Sequence, residues 1–120
     1  MKKGGLVLIA VLMLVSSLAE GANWVKFGGD EKQVDYFDAD TISRNGNIVK
    51  FWNKLEYVKD TKYKYFISYI ELDCSDKKFR LLQETAYLLN GQIVDNPHKK
   101  TWQNIIPGSG GESFLVMCKK

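Results

Sequence analysis

The chain has 120 residues, 45% of them hydrophobic, and 17 basic against 14 acidic side chains, a formal charge of +3. That length supports one domain with a modest core. The near balance of charge excludes binding driven by a general pull towards nucleic acid or anionic lipid.

The first segment has the order of a secretory leader. Met1-Lys2-Lys3 is positive, Leu6 to Val15 is an unbroken apolar run, and Ser16-Ser17 follows. The run is too short for an ordinary membrane span. Small residues before the cut favour cleavage after Ala19 or Gly21, so residues 1–19 are expected to be removed, leaving a single domain over 23–120. Losing Lys2 and Lys3 brings the charge of the remaining chain to about +1. No cysteine follows the apolar run, so the expectation is an exported protein, periplasmic or secreted, without a lipid anchor and without membrane insertion once the leader is gone. Cys74 and Cys118 are the two cysteines. In an exported chain they pair by default, and neither has the CxxC neighbour of a redox or zinc site.

Trp24-Val25-Lys26-Phe27 alternates and ends at Gly28-Gly29, which predicts a short strand; Val34 to Phe37 is a second. Asn45-Gly46 is a turn signal. Ile48 to Tyr57 and Tyr65 to Cys74 are rich in β-branched and aromatic residues and predict two long strands. Lys78 to Leu89 is ambiguous: its Arg, Leu, Gln, Glu and Ala suit a helix, and the following Asn90-Gly91 suits either a helix C-cap or a hairpin turn. Gln92-Ile93-Val94 then resumes an extended pattern. Near the end, Ser109-x-x-Glu112 predicts a capping box, with the Ser109 hydroxyl accepting from the Glu112 N–H. Phe114, Met117 and Cys118 then share one helical face.

Phase assembles these pieces. Phe66, Ser68, Ile70, Leu72 and Cys74 alternate onto one face of their strand, so a Cys74–Cys118 bond requires the C-terminal helix on that face. Tyr65, Ile67 and Tyr69 point the other way. Ile48 and Trp52 likewise oppose Val49, Phe51, Leu55 and Tyr57. Strands apolar on both sides need cover on both. Either the sheet curls so that its own strands or the Trp102–Ile106 segment cover the second row, or a second copy docks as a homodimer through Trp52, Tyr65, Ile67 and Tyr69.

Catalytic chemistry has little to build on. His98 is the sole histidine, and Asn96-Pro97-His98-Lys99-Lys100 surrounds it with cations rather than metal ligands. Gly108-Ser109-Gly110-Gly111 lacks the lysine and spacing of a phosphate loop. Asp35, Asp38 and Asp40 lack the glycine and distal glutamate of a calcium loop, and turn capping accounts for them better. No catalytic residue, metal or cofactor is assigned. Tyr57, Tyr63, Tyr65, Phe66 and Tyr69, set around the charged Lys59–Lys64 connection, have the composition of a contact surface, although β-propensity alone also accounts for them.

One ordered set of landmarks runs along the chain: Trp24; Asp35-Tyr36-Phe37-Asp38; Thr41-Ile42-Ser43-Arg44-Asn45-Gly46-Asn47 leading into Ile48-Val49 and Trp52; Asp73-Cys74; Trp102; Pro107-Gly108-Ser109; and Cys118. In this order the chain resembles the surface-adhesin protein E-like domain family of bacterial envelope proteins. The resemblance implies an α+β fold: an antiparallel sheet, here about six strands, with a C-terminal helix held to its concave face by the disulfide. It favours strand for Lys78–Leu89. It also implies a dimeric adhesin that binds host matrix and serum proteins. The expectation is therefore a non-catalytic binding or adhesion module of the cell envelope with a protein partner. The alternative is a secreted or periplasmic inhibitor of a hydrolase such as lysozyme, with the loop carrying His98, Lys99 and Lys100 as the plug.

Overall fold

The structure is a computed structural model and describes residues 22–96 and 100–119. The leader with its two cleavage positions, and His98 and Lys99, lie outside the described residues.

Eight antiparallel strands form one sheet: β1 (Trp24–Gly29), β2 (Gln33–Asp38), β3 (Ser43–Asn45), β4 (Ile48–Tyr57), β5 (Tyr63–Asp73), β6 (Lys78–Leu88), β7 (Ile93–Asp95) and β8 (Gln103–Asn104). The path across the sheet is β1-β2-β4-β5-β6-β7, with β3 on β4 and β8 on β6. β2 and β3 pair with opposite ends of β4, and β7 and β8 with opposite ends of β6. The eight strands thus fill six columns, which reconciles the observed number with the six expected from the sequence.

β6 settles the ambiguous segment. Its helix-favouring composition yields to a ladder with β5 running from Asp73↔Lys78 to Tyr63↔Leu88, a case of tertiary pairing overriding weak local propensity. The Asn90-Gly91 pair then closes a hairpin. Leu88 donates to the Gln92 carbonyl at 2.9 Å and accepts from the Gly91 N–H at 3.1 Å, with Gly91 at φ 91°. That is a three-residue loop with glycine in the left-handed position.

Three other turns are fixed by aspartates that accept two backbone N–H groups each: Asp30 from Lys32 and Gln33, Asp60 from Lys62 and Tyr63, and Asp73 from Ser75 and Asp76. In the first of these turns Gly29 has φ +129°, and a Cβ there would stand 2.5 Å from the Gln33 carbonyl oxygen. No side chain fits that position.

The core lies on the face of the sheet that carries the C-terminal helix, the one the resemblance describes as concave. Val49, Phe51, Ile70, Leu72 and Met117 are buried together. Full burial of a side chain such as Phe51 or Leu72 stabilises by roughly 1.5–3 kcal/mol. The cover is a nine-residue 3₁₀ helix, η1 (Gly110–Cys118), rather than the α-helix expected. Its three-residue period puts Gly111, Phe114 and Met117 on one side. Phe114 is the centre of this contact, with its ring 5.3 Å from Phe79, 5.7 Å from Phe51 and 6.4 Å from Phe27. Gly111 lets the helix come down on Phe79, where a Cβ would meet the ring at 3.1 Å. The Cys74–Cys118 disulfide closes a 44-residue separation, with Cα atoms 5.7 Å apart. Arg44 donates to the Met117 carbonyl at the helix C-terminus, satisfying one of its orphan acceptors.

The capping box is a correction. The Ser109 hydroxyl turns backwards and donates to the Ile106 carbonyl at 2.5 Å, while Glu112 accepts from the Gly108 N–H rather than from Ser109. The cause is the tight 3₁₀ turn, in which the Glu112 N–H is taken by the Ser109 carbonyl at 3.1 Å.

Two tests follow from this packing. Cys118→Ser is expected to lower unfolding free energy by about 2–5 kcal/mol in denaturant titration; two alkylatable thiols in the native wild type would contradict the clamp. Phe114→Ala is expected to cost about 3 kcal/mol by loss of core contacts, and Ser109→Ala less than about 0.5 kcal/mol, since one exposed hydrogen bond is all it loses.

Candidate functional site

The two faces of the sheet present different surfaces, and the aromatic cluster noted in the sequence is divided between them. Tyr57, Tyr63 and Phe66 gather on the concave side, with ring centroids 4.9–6.4 Å apart. Tyr65 and Tyr69 stand on the opposite, outer side with Ile67.

On the outer face the chain builds a band of stacked rings. Trp52 stacks on Tyr69 at 4.7 Å and Tyr65 on Tyr87 at 4.5 Å. Lys54 pairs across the ladder with both Ile67 and Tyr36. Its ammonium lies 4.5 Å from the Tyr65 ring, 5.8 Å from Trp24 and 6.0 Å from Tyr36, a cation held by ring quadrupoles rather than by a carboxylate. The structure therefore brings Trp52, Tyr65, Ile67 and Tyr69 into one continuous surface, all four half-buried. The sequence reasoning missed Trp24, Tyr36, Lys54 and Tyr87, although their strand parity could have found them.

The Trp102–Ile106 segment does not cover this row. Trp102 packs at the other end of the outer face, 4.5 Å from the Arg80 guanidinium, which is paired with Glu71 at 2.6 Å. Ile105 has already crossed to the concave core. Lys100 is exposed and sits at φ 55°.

On the concave face η1 covers only the end near Cys74. Beyond Phe114 a cleft of about 360 Å³ opens, lined by residues of β2, β4, β5 and β6. Its floor interrupts the apolar alternation of the long strands with Asn53 and Ser68, directly opposite each other and each 5% exposed. Asn53 donates to the Tyr36 carbonyl at 3.0 Å, and Ser68 lies 3.4 Å from a Glu84 oxygen. Glu84 also accepts from the Asn96 amide at 3.2 Å. Asp35 faces the same cleft; burial holds its carboxyl above the ordinary range, opposed by a hydrogen bond from Asn53 and reinforced by the charge of Asp30.

The three sequence-clustered aspartates thus have separate roles. Asp38 is on the other side of β2 and closes the excursion to β3, accepting from Thr41, the Asn23 N–H and the Asp40 N–H. Burial opposes its ionisation, but those bonds outweigh it and hold the carboxyl below the usual range. Among the described residues no group of three or more His, Cys, Asp and Glu is placed to hold a metal ion.

A single curved antiparallel sheet, a disulfide-clamped C-terminal helix and two dissimilar faces define a small β-rich binding domain. The family model for surface-adhesin protein E matches residues 24–119, and the chain belongs to that family. No curated protein and no solved structure matches it.

Asp35 gives a pH test. Its folded pKa is raised, so the ionised form disfavours the fold, and this cost is absent below the unfolded value of 3.8 and complete once pH exceeds the folded value. Asp35→Asn is expected to raise the melting temperature at pH 7 relative to wild type, with the difference shrinking towards pH 3.5.

Proposed function

We propose that the protein is an exported, non-catalytic binding module of the cell envelope whose outer aromatic face is its protein-contact surface. The observation that carries this reading is the band of Trp24, Tyr36, Trp52, Tyr65, Tyr69 and Tyr87 around the Lys54 ammonium, across which no other described element of the chain passes. Tyr and Trp are the residue types enriched at surfaces that partner proteins bury. The rings are already stacked, so docking there orders few side chains and costs little conformational entropy.

Membership of the surface-adhesin protein E family supports the same role. The partner is a protein at or outside the envelope. A second copy of the chain, docked about a two-fold axis, is the other occupant an uncovered aromatic face can take.

Binding of the purified protein to plates coated with serum or extracellular-matrix proteins measures the first occupant, and sedimentation at micromolar concentration measures the second. Ile67→Glu and Tyr69→Glu are expected to remain folded and to lose coated-plate binding at least tenfold. A dimeric wild type converted by both variants to a folded monomer, with no coated ligand bound, would assign the face to self-association instead. Variants that unfold, or that bind and sediment as wild type does, would overturn the outer face as a contact surface.

A further inference from the structure

The concave cleft is separate from the outer face and has its own chemistry. Its polar floor occupies positions where the alternation of β4 and β5 otherwise places Val49, Phe51, Ile70 and Leu72. Burying Asn53 and Ser68 there stabilises the fold less than apolar residues at the same sites, and polar groups at core positions of this kind belong to functional sites. Leu55, Tyr57, Phe66 and Phe114 supply apolar walls, and Asp35 and Glu84 stand at opposite sides. At about 360 Å³ the cleft falls within the range of small-ligand sites.

The charge of the cleft is one-sided. Among the described residues, no lysine, arginine or histidine lines it. Among the described residues, Asp35 and Glu84 have no cationic partner: the two ion pairs are Lys78–Asp76 and Arg80–Glu71, both elsewhere. The negative field reaches the wall, where the Tyr57 hydroxyl is raised by burial first and then by the charges of Asp60, Glu84, Tyr63 and Asp35. Two strands separate β2 from β6, and Asp35 and Glu84 lie two residues out of register across the ladders, so their backbones are about 16 Å apart at the usual strand spacing and rise. A single metal ion cannot bridge that distance, whereas a ligand with length and an apolar body can reach either carboxylate.

We propose that this cleft binds an organic cation, an ammonium or amidinium-type group on an apolar stem, paired with Asp35 or Glu84 and packed against Leu55, Tyr57, Phe66 and Phe114. A free small amine and the Lys or Arg side chain of a docked protein share this chemistry. A partner's side chain inserted here would make the concave face a second contact surface.

The test is amide chemical-shift titration of the purified, disulfide-bonded protein with 1,5-diaminopentane, benzamidine and the tripeptide acetyl-Gly-Lys-Gly-amide, beside the neutral comparators 1-pentanol and benzamide. Saturable shifts are expected at Asn53, Phe66 and Ser68 with at least one cation and with neither neutral molecule. Asp35→Asn or Glu84→Gln is expected to weaken them at least tenfold. Response to the free amines assigns a small-molecule site, and response to the tripeptide alone assigns a partner side chain. Absence of saturable shifts, equal shifts with the neutral comparators, or unchanged affinity in both variants would overturn the proposal. The comparison of benzamidine with benzamide needs only the wild type, so it stands even if a variant fails to fold. Failure here leaves the outer-face reading untouched, because that reading is measured through Ile67 and Tyr69.

Discussion

The structure depends on a single attachment: a 3₁₀ helix held to the concave side of the sheet by Cys74–Cys118 at one point and by the Phe114 ring at another. A helix of nine residues has no stability of its own in water, and a sheet with one naked apolar face has none to spare. Each supplies what the other lacks. Arg44, reaching from β3 to the Met117 carbonyl, ties the same end of the helix to the strand on the far side of β4. With its C-terminal end fixed twice and Phe114 seated on the core, the helix decides where the core ends and the cleft begins.

That division gives one small domain two surfaces of different character. The outer face is broad, aromatic and gently cationic around Lys54. The concave cleft is narrow, acidic and partly apolar. The same strands build both, since adjacent residues point to opposite sides. Asn53 and Lys54, or Tyr65 and Phe66, are chain neighbours that serve different surfaces. A change that slipped β4 against β5 by one residue would exchange the two faces completely. The bulges between Lys26 and Gly28 and between Tyr69 and Ile70 are the places where the ladder absorbs its curvature without such a slip.

Period-two alternation made the faces legible in the sequence. Cys74 and its even-numbered neighbours, the odd positions of β4 and the outward row of Tyr65, Ile67 and Tyr69 all follow from counting by two, and the two cysteines then place the helix. Three things were not legible. The helix type was hidden because a short segment with two leading glycines and a serine looks the same whether its turns hold three residues or 3.6. β3 and β8 were hidden because strands of two or three residues show no alternation; only their partners define them, whereas β7 coincides with the extended pattern read at Gln92-Ile93-Val94. The cleft was overlooked although its signal was present, as Asn53, Ser68 and Glu84 are polar residues at core parity. Asp35 had been grouped with Asp38 by closeness in sequence, when an odd separation of three along a strand puts them on opposite faces.

The edges of the sheet carry a consequence of their own. On one side the outermost column is split into the three-residue β7 and the two-residue β8. On the other, β1 is bulged and ends in Gly28-Gly29. Neither side offers a long, straight row of free N–H and C=O groups on which a strand of another molecule could extend the sheet. A β-rich protein held at high local concentration runs the risk of zippering into fibrous aggregates, and here the short and kinked borders interrupt that growth while leaving the outer face and the cleft open.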